Sequence, residues 1–310
     1  MFYFIMKENM KVISIINYKG GVGKTTLTAN LAGELAYRGK KVLMIDLDPQ
    51  ASLTFSFIKP EEWKEHIAST QTIKNWFNTK KKEVAFADLI IEPLNAKSYT
   101  TKGKLHLISS HLELINVDLE LATKLGGANL QQAKENFIKV HRRLITGINQ
   151  IDPNLYDLIL IDCPPNFNIV TKNAIVASDY ILIPAKPDYL STLGIDYLKK
   201  SLDRLVKEYN EYCEIEDDDD DSSISKISPK ILGVIFTMVQ FYGGEPISAI
   251  RPFISQTKKL GIHVFENYFR ENKTLFADAP QYGIPVVLEG RRADIVKEIE
   301  NFVTEFERLI

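Results

Sequence analysis

Apolar positions along this chain follow two patterns that take turns. Consecutive apolar residues rich in β-branched side chains lie near 11–17, 41–46, 104–109, 157–162, 179–184, 231–236 and 262–265, and each run reads as a buried strand. Between most of them the apolar residues recur every three or four positions. Residues 27–36 show this spacing, as do Ile195, Leu198, Leu202, Leu205 and Tyr209, and it marks helices with one buried face. Strands that are apolar on both faces need cover on both sides. The alternation therefore predicts an α/β fold, a mostly parallel twisted sheet with helices on both faces.

Three segments stand outside that frame. Residues 1–10 precede the first strand as an extension, whose apolar start at residues 1–6 is shorter than the roughly 7 to 15 residues of a signal-peptide core. Residues 58–100 hold Pro60, Trp63, Trp76, Phe77, a lysine triplet at 80–82 and Pro93, and read as a small helical insertion packed on the core. Residues 214–224 include five consecutive aspartates and read as a solvated, self-repelling loop. The rest, 11–310, reads as one domain. No apolar run approaches the ~18 residues of a membrane span, so no span is expected, and the net-acidic tail at 292–310 argues against a membrane partner.

Chemistry enters at the first strand-to-helix junction, Asn17-Tyr-Lys-Gly-Gly-Val-Gly-Lys-Thr-Thr26. Gly20, Gly21 and Gly23 lack β-carbons, so the backbone can turn its N–H groups onto phosphate oxygens at the positive end of the next helix. Val22, Thr25 and Thr26 complete the cradle. Lys24 can reach β and γ phosphates, and the Thr25 hydroxyl can bind Mg²⁺. The general pattern has glycine where this chain has Tyr18, and a second lysine, Lys19, lies five positions before the usual one.

A phosphate site also needs carboxylates for its metal. Two apolar runs end in aspartate: Lys41-Val-Leu-Met-Ile-Asp46, continuing to Asp48, and Leu158-Ile-Leu-Ile-Asp162. In a parallel sheet those strand ends gather beside the first loop, so Asp46 and Asp162 can meet Mg²⁺ directly or through its waters.

The strings Tyr18-Lys-Gly-Gly-Val-Gly-Lys-Thr-Thr26, Val42-Leu-Met-Ile-Asp-Leu-Asp-Pro-Gln-Ala51 and Tyr156-Asp-Leu-Ile-Leu-Ile-Asp-Cys-Pro-Pro165 closely resemble the ParA branch of the ParA/MinD (deviant Walker A) ATPases. This branch does without glycine at position 18. The resemblance implies an ATP- and Mg²⁺-dependent hydrolase that dimerises on ATP. It places Lys19 on the partner's ATP phosphates across the dimer interface, Asp48 at the attacking water, Asp46 and Asp162 in the metal site, and adenine near Thr237 and Met238. It also implies non-specific DNA binding by the ATP dimer, release by a ParB-like cargo-bound activator, and a cytoplasmic, nucleoid-associated location.

Two further functions remain open. A MinD-like positioning ATPase needs a basic amphipathic tail, whereas residues 292–310 carry five acidic and three basic side chains. A metabolic ligase using the same loop works without the signature lysine. The 310-residue chain is 45% hydrophobic, 25% charged and has net charge −2, ordinary values that exclude a protein basic all over but not a local basic patch. Candidates for such a patch are Arg251, Lys258, Lys259, Arg270 and Lys273. Lys199, Lys200, Arg204 and Lys207 interleave with acids and read as a solvated face. With about ten residues before the first strand, no N-terminal helix-turn-helix is expected, and operator recognition with it. Cys163 and Cys213 lack the paired spacing of a disulfide framework or an iron–sulfur cluster.

Overall fold

The strand-forming runs assemble side by side. In the computed structural model, which describes residues 10–78, 84–214, 224–243, 245–272, 275–276, 281–290 and 292–310, one sheet contains β1 (Lys11–Ile15), β2 (Lys41–Asp46), β3 (Ile90–Ile91), β4 (Lys104–Ile108), β5 (Leu158–Asp162), β6 (Tyr180–Ala185) and β7 (Lys230–Phe236). The order across the sheet is β3-β4-β2-β5-β1-β6-β7, parallel throughout except for the short edge strand β3, which runs against β4. The longer helices are α1 (Lys24–Tyr37), α2 (Leu114–Ala122), α3 (Leu130–His141), α4 (Arg143–Ile148), α5 (Ile169–Ala177), α6 (Tyr189–Tyr212), α7 (Arg251–Lys259) and α8 (Ala293–Glu307).

Neighbouring residues of each central strand enter different cores, which explains why the strands are apolar at every position. Val12, Ile45 and Ile159 pack with Val117 of α2, Leu144 of α4, Ala174 of α5 and Leu198 of α6. Ile13, Met44 and Leu160 pack on the other face with Leu31 and Leu35 of α1 and Phe302 of α8. The expected helical face of residues 189–212 is the one observed, since Ile195, Leu198, Leu202, Leu205 and Tyr209 are all buried.

The acidic C-terminal segment also packs inward. α8 buries Ile295, Ile299, Phe302, Val303 and Phe306, which at about 2 kcal/mol per side chain is on the order of 10 kcal/mol. Arg38, at the end of α1, ties it down through Glu307 (2.8 Å) and the Glu300 carbonyl (2.8 Å). Among the described residues no helix is long and apolar enough to cross a membrane.

Two expectations need correction. The run at 262–265 forms a single bridge, Val234 with Val264, held by hydrogen bonds from Val234 N to His263 O and from Phe265 N to Val234 O. It adds no strand because Glu266 and Asn267 next donate their N–H groups to Glu305 of α8, and the chain meets the sheet edge again only at Phe269, whose N donates to Phe236 O. The edge strand β3 lay unseen in the sequence because two residues carry no period.

Within the insertion, Phe77 and Phe86 are buried and Trp76 stacks edge-on against Phe86, ring centres 5.1 Å apart. Trp76 Nε1 donates to the Arg143 carbonyl and Arg143 returns a bond to the Trp76 carbonyl, both 2.8 Å. The lysine triplet at 80–82, most of the acidic run at 214–224 and residues 1–9 lie outside the described residues.

Candidate nucleotide site

Register brings the site together. β1 and β2 both pair with β5, and Asp46 stands directly opposite Asp162 at the carboxyl ends of adjacent strands. The glycine loop leaves β1 beside them. Gly21 (φ 65°) and Gly23 (φ 76°) take the left-handed conformation that a side chain resists, and α1 begins at Lys24 directly after. The unpaired N–H groups of the first turn of α1 thus face the loop's concave side, the arrangement that holds anions.

Lys24 is buried, and its Nζ donates to the carbonyls of Asn17 and Lys19, both at 3.3 Å. Burial lowers its pKa, opposed by the carboxylates of Asp162 and Asp48. These long bonds keep the ammonium folded over the loop, ready to exchange carbonyls for phosphate.

Thr25 Oγ1 donates to Asp162 Oδ2 at 2.7 Å. The other carboxylate oxygen, Oδ1, is buried without a hydrogen-bond partner among the described residues. Burial, and then the neighbouring Asp46 carboxylate, push Asp162 well above the usual carboxylate range. An unsatisfied buried oxygen beside a hydroxyl fits a divalent cation, which would supply the missing charge and ligation. Thr25 and Asp162 therefore suit Mg²⁺.

Asp46 differs. Its Oδ2 accepts from Thr54 N (2.8 Å) and Thr54 Oγ1 (2.7 Å), and Oδ1 accepts from Asp48 N (3.1 Å). Burial still pushes its pKa up to about 7. A carboxylate so occupied can orient a metal's water and anchor the turn to Asp48. That turn is held from the other side by Ser110, whose Oγ donates to the Asp48 carbonyl at 2.6 Å. Thr54 and Ser110 had no sequence signal: Thr54 reaches the Asp46 carboxylate eight residues back, and Ser110 the Asp48 carbonyl sixty-two residues back.

Lys19 points out of the loop. Its Nζ lies 2.7 Å from Asp188 Oδ2 and 3.4 Å from Ser191 Oγ, and its side chain is 34% exposed. Asp188 also caps α6, accepting from Ser191 N at 2.8 Å. A partly exposed pair of this kind contributes about 0–1 kcal/mol, so it can release its lysine at little cost. The Asp188-Tyr-Leu-Ser191 spacing is a helix-start signal that could have pointed to Asp188.

Beyond the loop lies a cavity of about 220 Å³ lined by Gly23, Thr26, Lys186, Thr237, Met238 and Phe276, with residues 269–272. The segment after 262–265 does border it. Thr237, however, donates its hydroxyl to Val22 O (2.7 Å) and Ala185 O (3.3 Å), and Met238 has φ 54°. Lys186 and Phe276 were not foreseen, since nothing local in the sequence connects them to the loop.

Of the basic candidates, Arg251, Lys258 and Lys259 are exposed on α7 and line an open groove of about 430 Å³ with Ile254 and Ser255. Arg270 has partners of its own. Its guanidinium pairs with Glu298 and with Asp294 (3.0 Å) and lies over Phe241, so part of its charge is matched within the protein. Lys273 lies outside the described residues. On α6, Lys200 pairs with Asp196 and Lys207 with Glu211, as expected of a mixed solvated face.

A family model described as an AAA domain matches residues 10–215, more than half of the chain. The chain belongs to the ParA/MinD family of ATPases. Sporulation initiation inhibitor protein Soj of Bacillus subtilis is 28% identical over 307 residues, covering 93% of this chain and 98% of that one. Chromosome partitioning protein ParA of Caulobacter vibrioides is 27% identical over 280 residues, covering 90% and 87%. Apo McdA of Cyanothece superposes with a TM-score of 0.72 at 24% identity, covering 96% and 98%, a likeness of fold.

Proposed function

We propose that this chain is a partitioning ATPase of the ParA type, which pairs with a second copy when both hold ATP and Mg²⁺, binds DNA without sequence preference, and lets go when a cargo-bound activator stimulates hydrolysis. The observation that carries this reading is Lys19, a cation beside the phosphate loop that points away from its own loop and is held by a weak pair with Asp188 and a long hydrogen bond to Ser191. Around it α6 exposes Tyr189, Leu190, Leu193 and Tyr197, each at least half accessible, an apolar surface suited to cover by a second protomer.

In this reading each residue takes a role that its position is compatible with. The N–H groups of residues 20–26 and the Lys24 ammonium hold the β and γ phosphates. Thr25 and Asp162 hold the metal ion, which when bound neutralises phosphate charge. Asp46 fixes the Leu47-Asp48 turn, and Asp48 orients the attacking water in line. Lys19 leaves Asp188 and reaches the partner's phosphates, adding positive charge where the transition state needs it. ADP offers no γ phosphate to that lysine, so the dimer weakens after turnover. The exposed Arg251, Lys258 and Lys259 groove supplies the phosphate-binding patch for DNA and would associate with the nucleoid.

A MinD-like membrane role is disfavoured because α8 turns its apolar side chains into the core. The deciding experiment is retention on DNA and on anionic vesicles with ATP, ADP or no nucleotide. Retention on DNA with ATP alone is expected; retention on vesicles, or equal DNA retention without nucleotide, rejects the proposal.

A further inference from the structure

The loop joining β6 to α6 touches three parts of the site within four residues. Ala185 carries the carbonyl that receives the Thr237 backbone and hydroxyl, Lys186 lines the cavity, and Asp188 holds Lys19. A tight turn fixes the segment, with Asp188 N donating to Lys186 O at 2.8 Å.

Among the described residues two cations border the cavity, and they are not equivalent. Arg270 has its charge matched by Glu298 and Asp294. Lys186 pairs with no carboxylate among the described residues, and Glu271, which shares the lining, already accepts from Gln240 Nε2 at 3.3 Å. An unmatched ammonium at the wall of a half-enclosed cavity is suited to an anionic group of a ligand. The same wall begins at Gly23 and Thr26, where the phosphate loop becomes α1.

Resting on the nucleotide-site reading above, the geometry points to Lys186 as a further nucleotide-binding residue that takes the α-phosphate from outside the phosphate loop. The α-phosphate is the anionic group between terminal phosphates on the loop and a base in the cavity. Lys24 and Thr25 serve the terminal phosphates, and Lys186 supplies, among the described residues, the unmatched cation on the cavity side. A contact there is made alike by ATP and ADP. Lys186 therefore retains nucleotide through the cycle, while Lys19 distinguishes its states.

Fluorescence-competition titration of ATP, ADP and adenosine against the full chain tests this, using Lys186→Met, Lys186→Arg and Lys24→Ala. Lys186→Met is expected to weaken ATP and ADP equally, by about tenfold for one charge-assisted hydrogen bond, with adenosine unchanged and Lys186→Arg close to wild type. Unchanged ADP affinity in Lys186→Met overturns the assignment while leaving the nucleotide site intact. Loss confined to ATP also overturns it, by moving the contact to the γ phosphate. Wild-type binding by Lys24→Ala removes the underlying site instead.

Discussion

The two ends of the nucleotide groove are built in different ways. The phosphate end is one run of ten residues, 17–26, with two aspartates that strand register places opposite each other. The cavity end is made from separate stretches, at Lys186, at Thr237 and Met238, and at residues 269–272 with Phe276. A cradle formed by consecutive residues is set by local backbone chemistry. A cavity formed by distant ones exists only once the sheet has closed.

This difference can be broken or sharpened by measurement. Lys24→Ala should give the largest effect, a loss of ATP affinity of at least a hundredfold, because it removes the cation the phosphate end converges on. Unchanged binding in a fluorescent-nucleotide titration would reject the phosphate cradle. Asp48→Ala should bind ATP and remain dimeric on DNA while steady-state hydrolysis falls by about a hundredfold or more, and normal turnover would remove Asp48 from the water's side. Lys19→Gln should hold ATP with near wild-type affinity yet stay monomeric in light scattering with ATP and Mg²⁺; a normal dimer refutes the trans lysine.

At the cavity end effects should be smaller, since no single side chain dominates. Phe276→Ala should weaken ATP and ADP together by several-fold, and a loss as deep as that of Lys24→Ala would show that the two ends are not separable in this way.

A control lies in the scaffold away from both ends. Burial holds the His141 imidazole down at about 4, with its Nδ1 bonded to the Phe137 carbonyl at 2.8 Å. The unfolded chain takes a proton near the ordinary histidine value while the folded chain does not. The His141 contribution is therefore complete above that value and is lost as pH falls toward 4. Urea midpoints at pH 7 and pH 5 should show wild type losing stability relative to His141→Asn, with ATP affinity at pH 7 unchanged. A constant difference between the two proteins would contradict a neutral buried imidazole.

The same contrast explains what could be read from the chain. Gly20 to Thr26 announced themselves through spacing, and Asp46 and Asp162 through uninterrupted strands ending in a carboxylate. The central strands were legible because burial on both faces leaves no polar position, as the split of Val12 and Ile13 between two cores shows. Position 262–265 misled because apolar content alone does not say whether a partner edge continues. The partners of Arg270, Glu298 and Asp294, were not legible because they come more than twenty residues later. Thr54 and Ser110 meet Asp46 and Asp48 only after folding, and no local pattern encodes those contacts or the place of Lys186 in the cavity wall.

One hydroxyl belongs to both ends. Thr237 stands in the cavity wall yet gives its proton to the Val22 carbonyl in the middle of the glycine loop. It works as a keystone: any remodelling of the base pocket that replaces this residue also slackens the arch over the phosphates. On the proposed reading of this cavity as the base site, a new base preference is carved from Met238 or Phe276, with the threonine left standing.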